Sequence, residues 1–176
     1  QGRPDFRKVL NNVSDVYRDN REKIIAQASQ MQDIFSKINQ RSAVLNQSLL
    51  PFVDKIISYL DEEHGSFKGA PKFPQFYLFD AMFYFYLKTN DEKYLKPVEI
   101  LLKNICSKGI YDQLIGGIAR YTVDDKWIIP HFEKMLYDNI QFISLLSKFY
   151  QSTKSDYFKS KLIQTIKYIN TEFVND

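Results

Sequence analysis

Cysteine, histidine and tryptophan are scarce in this 176-residue chain, with one Cys, two His and one Trp. A single cysteine, Cys106, excludes an internal disulfide, a CxxC redox pair and a multi-cysteine zinc site within the chain, and reads as a buried, inert thiol. Two histidines exclude a three-histidine zinc centre, so neither a metal nor a cofactor is expected. No run approaches the roughly 18 apolar residues of a membrane span, and no basic-then-apolar leader opens the sequence. A cytoplasmic protein without a membrane partner is the simplest reading. Charge of one sign is lacking too. The 24 basic and 21 acidic residues give +3 and are dispersed, a solvated surface rather than a phosphate-tracking stripe, which disfavours nucleic acid. The most basic stretch sets Lys148, Lys154, Lys159, Lys161 and Lys167 between apolar positions at helical spacing and reads as an outer helix face.

Glycine is also sparse, and all six glycines fall outside segments with helical periodicity, as their cost inside helices requires. Between them, apolar residues recur at three- and four-residue steps, as in Val9, Val13, Val16 and Tyr17. The spacing predicts helices near 4–17, 19–38, 42–62, 76–88, 92–108, 132–152 and 156–173. Pro4 suits a first helical turn, and Asp91 and Ser155 are N-cap residues by type. Pro51 and Pro97 each remove an N–H inside an apparent helix, and one is expected to mark a bend. Phe76–Leu87 is apolar on nearly every side and predicts a helix buried all round. With 14 Phe and 12 Tyr, the core should be wide and aromatic.

The fold class is therefore all-α, a stack of antiparallel helical hairpins. A loose repeat supports this, since Tyr86–Leu95 recurs approximately as Tyr150–Phe158, each a helix, a polar turn and a helix. Tight turns near 89–91 and 153–155 place the long loops 63–75 and 109–131 together at the opposite end, and long loops in compact domains are often functional.

The first loop holds His64 and Lys72 between glycines and prolines. They read either as ligand-binding groups or as a polar surface residue and an ion-pair partner. The second holds Gln113, Arg120, Tyr121 and Trp127. Trp127 either stacks on a ligand ring or caps the core. In the predicted helix after Pro130, Phe132, Leu136 and Ile140 form an apolar row expected to face the core. His131, Lys134 and Asp138 form a polar row beside it, and Glu133 and Tyr137 pair on a third line. Histidine with carboxylates suits proton transfer near neutral pH, which makes His131, Glu133 and Asp138 a candidate acid–base group. Helix capping and surface salt bridges are the alternative for the same residues.

The segments His64–Pro74, Gly109–Leu114, Arg120–Asp124 and Trp127–Asn139 together resemble the spermatogenesis-associated, thioredoxin-domain-containing protein family. The resemblance implies a thioredoxin-like domain before a helical region similar to the α/α toroids of N-acylglucosamine 2-epimerases and six-hairpin glycosidases. It then implies that residues 1–40 are helices linking from an absent thioredoxin-like domain, and that residues 41–176 are the first hairpins of an incomplete toroid. Gln rather than Met at position 1 agrees with that expectation. The function implied is binding or transformation of a sugar-like small molecule, with His131, Glu133 and Asp138 exchanging protons. His64, Lys72, Gln113, Arg120, Tyr121, Trp127, Lys134 and Tyr137 would bind. The alternative is a non-catalytic helical module for the thioredoxin-like domain or another protein. Two departures stand out: Ala119 replaces a histidine before the Arg-Tyr pair, and Ser66 replaces a glycine.

Overall fold

The computed structural model describes residues 5–39 and 48–174, and these contain seven helices and no strand. The chain is all-α. Pro4 and the first part of the helix expected over 42–62 lie outside the described residues. Two compact units divide the chain, residues 1–47 and residues 48–176. In the first, α1 (Phe6–Asp19) packs on α2 (Arg21–Asn39). The carboxylate of Asp5 caps α1 by accepting from the Lys8 amide at 2.8 Å.

The second unit begins with α3 (Leu50–Ile57). Pro51 stands in its first turn, where a missing N–H has no intrahelical partner to lose, so it starts a helix rather than bending one. The helix does not continue to residue 62. Tyr59 and Leu60 close tighter turns onto the Ile56 and Ile57 carbonyls, and Asp61 then turns its side chain onto the amides of Glu63 and His64.

Two paired helices follow, α4 (Phe76–Thr89) with α5 (Glu92–Ser107), and α6 (Leu136–Thr153) with α7 (Asp156–Glu172). Each pair is joined by two residues. Asn90 and Lys154 take left-handed backbone at the helix C-caps. Asp91 then caps α5 through its side chain, whereas Ser155 occupies the α7 cap position without a side-chain bond. Helix α5 continues through Pro97.

Helix α4 also packs on α6, and the core forms among Phe79, Met82 and Phe83 of α4, Leu101, Leu102 and Ile105 of α5, and Phe142, Leu145 and Phe149 of α6. Each such buried side chain contributes roughly 1.5–3 kcal/mol before entropy is charged. Helix α4 is not buried all round. Phe76, Phe79, Met82 and Phe83 are covered, while Tyr77, Tyr84 and Leu87 are exposed, because α5 and α6 cover one side of it. Cys106 is fully buried, and burial pushes its thiol up to about 12, which makes it inert.

Candidate functional site

The long loops do meet at one end of the second unit. Lys72 and Thr122 exchange both backbone hydrogen bonds, at 2.9 and 3.0 Å, and the Trp127 indole N–H donates to the His64 carbonyl at 2.7 Å. Around this seam the polar groups are saturated. Lys72 is 2% exposed. Its ammonium donates to Asp61 Oδ2 at 2.7 Å and to the Phe67 carbonyl at 2.9 Å, and lies 5.5 Å from the Trp127 ring. Burial pushes the Asp61 carboxyl up, but the Lys72 bond and the His64 and Glu63 amides outweigh it and hold the group at about 2.

The remaining inner residues are equally engaged. Trp127 is buried with a left-handed backbone (φ 65°), in a turn whose Lys126, Ile128 and Ile129 amides all donate to Asp124. Gln113 donates to the Cys106 and Lys108 carbonyls and accepts from Lys161. Lys134 donates to Asp112 at 2.8 Å and to the Gly116 carbonyl at 3.1 Å, over the ring of Tyr168. Buried Asn139 accepts from the Ile118 amide and donates to the Ile118 and Met135 carbonyls. Asn139, buried, spends both amide donors on the loop backbone and so fixes loop geometry, whereas Gln113 is exposed and Lys134 half-buried.

The helix expected from residue 132 begins at Leu136. The Arg120 amide donates to the Glu133 carbonyl, the His131 amide to the Tyr121 carbonyl, and the Val123 amide to the Ile129 carbonyl. This pairing holds residues 120–133 as a strap and takes up backbone groups that a helix would need. His131, Lys134 and Asp138 therefore do not form a helical row, and Glu133 is outside the first turn. The apolar row is overturned too: Phe132 is 94% exposed, and Leu136 and Ile140 are exposed rather than core-facing.

A second set of candidates lies on the outer side of the strap. The rings of Phe73 and Tyr121 stack at 4.7 Å, and those of Tyr121 and His131 at 4.7 Å. Glu133 Oε2 lies 3.8 Å from His131 Nδ1 and 4.0 Å from the Arg120 guanidinium. These are half-exposed contacts at the long end of ion pairing, worth ~0–1 kcal/mol. Arg120 also sits 5.9 Å from the Tyr137 ring centroid.

Asp138 differs from every carboxylate of the inner set. Its Oδ2 is buried and has no hydrogen-bond partner among the described residues. Burial pushes this carboxyl up, the nearby Arg120 charge opposes the shift, and Glu133 adds to it. The residue lines a cavity of about 180 Å³ with Phe73, Gln75, Tyr77, Arg120, Tyr137 and Gln141. Gln75 holds left-handed backbone (φ 56°) at the start of α4 and makes no capping bond. A non-glycine residue in that conformation is a local cost often found where a site is built. Neither Gln75 nor Gln141 is marked by sequence spacing; the one signal is that Gln75 directly precedes an aromatic helix.

Larger clefts lie elsewhere. One of about 320 Å³ includes Asp61 and Lys93, whose charges are already paired with Lys72 and Asp54. Another, of about 340 Å³, is lined by Ala119, Phe132, Lys134 and Tyr168. The position at which the resemblance has histidine thus faces a different cleft from Asp138. Among the described residues, no group of three or more His, Cys, Asp or Glu is placed to hold a metal ion. None of their helices is long and apolar enough to cross a membrane.

The second unit is thus a set of paired helices with two interlocked loops at one end. The chain is similar to spermatogenesis-associated protein 20 of Rattus norvegicus, 28% identical over 178 residues, a match covering 95% of this chain and 23% of that protein. It is similar to the Homo sapiens protein of that name at 27% identity with the same coverage. It is also similar to an uncharacterised protein of Caenorhabditis elegans, 36% identical over 101 residues, covering 55% of this chain and 14% of that protein. The chain therefore spans about a quarter of the length of the spermatogenesis-associated relatives. No family model matches it.

Proposed function

We propose that the outer side of the loop strap binds a small, hydroxyl-rich, carbohydrate-like molecule and that Asp138, Glu133 and His131 move protons on it. The observation that carries this reading is the Asp138 carboxyl, a buried acceptor with no partner among the described residues, lining a cavity. A carboxyl pushed up by burial is suited to hold and release a proton, as a general acid or base. Arg120 and Tyr137 line the same cavity, while Tyr121, stacked between Phe73 and His131, and Glu133 flank Arg120 outside that lining. At about 180 Å³ the cavity is below the roughly 300–1,000 Å³ of sites enclosing drug-sized ligands, so it suits one ring or a short chain rather than a dinucleotide. His64, Lys72, Gln113, Trp127 and Lys134 serve the frame in this reading, not the ligand.

An incomplete six-hairpin toroid and an accompanying thioredoxin-like domain belong to the same proposal. They are supported by the two helix pairs and by the similarity to much longer relatives. A second reading, a helical interaction module, is favoured by Phe132 and Leu114, 94% and 90% exposed on the same two-loop region. A thermal-shift series with neutral monosaccharides separates the two, because a ligand that binds the native state raises Tm. Stabilisation that disappears in Asp138→Asn supports the small-molecule site. Absence of any shift, together with a binding protein partner lost on Phe132→Ser, favours the module.

A further inference from the structure

We infer that the first unit is a self-association module, in which the apolar face of α1 and α2 docks on the same face of a second copy of the chain. In α1, Phe6, Val9, Leu10, Val13, Val16 and Tyr17 recur at three- and four-residue steps and so share one side of the helix. No residue of α1 is buried, and all six of these are exposed. In α2, Ile24, Ala28, Met31 and Phe35 repeat the pattern, and Met31, Ile34 and Phe35 are exposed as well. The two stripes meet at a cavity of about 340 Å³ lined by Asn12, Val13, Val16 and Tyr17 of α1 and Ile24 of α2. The Asn12 amide and the Tyr17 hydroxyl are the only polar side-chain groups in that lining, so water gains few bonds there and apolar side chains fill it better. A 14-residue helix is marginal in water unless its apolar face is packed.

Area, shape and charge select a second copy as the occupant. The nine exposed apolar side chains of the two helices present on the order of 600 Å² of apolar surface. A stable dimer needs about 800 Å² from each partner, roughly two thirds of it apolar, so one copy of this face supplies what another requires. The groove lies where the helices meet, and exposed rings lie toward the far ends, Phe6 on α1 and Phe35 on α2. A two-fold contact sets knobs of each copy against the groove of the other. Residues 5–39 carry six basic and five acidic side chains, and Arg18 is spent on Asp15 and Asp19 of its own helix at 2.7 and 3.3 Å. A helix that lies on lipid has a polar face rich in Lys and Arg, and a partner of one charge sign needs the opposite sign here. A nearly neutral surface supplies neither, and it does not repel its own copy.

The test is sedimentation equilibrium of the 176-residue chain between about 1 and 100 µM, because a dimer of moderate affinity populates both states across that range. We expect the average mass to double with concentration. Val13→Asp puts a charge in the groove and should move dimer formation at least about tenfold toward higher concentration, and Phe35→Ser should move it the same way. Val13 and Phe35 are 62% and 58% exposed, so neither change disturbs a core. Tyr84→Ser, on the exposed side of α4, should leave the dimer intact. The concentration series of the unaltered chain stands even if a variant fails to fold. A chain that is monomeric throughout would overturn the inference. A dimer that survives both Val13→Asp and Phe35→Ser, or that is lost in Tyr84→Ser, would overturn it by placing the contact on another surface. Co-sedimentation of a monomeric chain with phosphatidylcholine–phosphatidylserine vesicles would overturn it as well, by making lipid the occupant.

Discussion

The inner and outer faces of the same two loops contain similar residues put to opposite use. On the inner face, Lys72 pairs with Asp61 at 2.7 Å, Lys134 pairs with Asp112 at 2.8 Å, and Asn139 bonds the backbone of Ile118. On the outer face, Arg120, His131 and Glu133 meet at 3.8–4.0 Å and half-exposed, and Asp138 has one oxygen that meets nothing polar among the described residues. Burial of a polar group is tolerable when its bonds are made. The inner face follows that rule, and Asp138 departs from it. A departure that stability does not explain is the place to look for function.

Four substitutions or conditions sharpen this contrast, the largest effect first. Lys72→Met removes a buried ammonium and leaves Asp61 without its main partner, so we expect a loss of ~3–5 kcal/mol in urea unfolding. Asn139→Ala leaves the Ile118 amide and carbonyl unpaired in the interior, with an expected loss of ~2–4 kcal/mol by the same assay. Acidification comes next. Asp61 is held below its unfolded value, so its contribution is present above about pH 4 and is lost as pH falls through about 2. Following Tm from pH 5 downward should show a loss equivalent to ~2 kcal/mol. Glu133→Gln touches half-exposed contacts, and unfolding should shift by less than ~1 kcal/mol. Equal losses for Lys72→Met and Glu133→Gln would erase the distinction between the faces.

Helices α4, α5 and α7 were legible because their apolar residues repeat at helical steps and their turns carry Asn90, Asp91 and Ser155. The start of α6 was not. Phe132, Leu136 and Ile140 keep helical spacing, yet the strap pairs Glu133 with Arg120 and His131 with Tyr121, bonds made across the loop that local spacing cannot show. The same limit hid the partners of Lys72 and Lys134, since Asp61 and Asp112 stand 11 and 22 positions away. The exposed side of α4 was unreadable for a different reason. Burial depends on what packs against a helix, and α5 and α6 reach one side of it. Of the acid–base trio, the residue types were visible in sequence, but the unpaired state of Asp138 emerges from the folded chain.

The most direct test is the pH dependence of unfolding free energy for the unaltered chain and Asp138→Asn. A carboxyl held above its unfolded pKa favours the native state while protonated, and that support fades as pH rises through the folded pKa. We expect the asparagine variant to be as stable as the unaltered chain or more so at pH 7, with any advantage shrinking toward pH 4 as the carboxyl is protonated. A loss of more than ~1 kcal/mol at pH 7 would show that Asp138 is a bonded part of the frame, as Asp61 is.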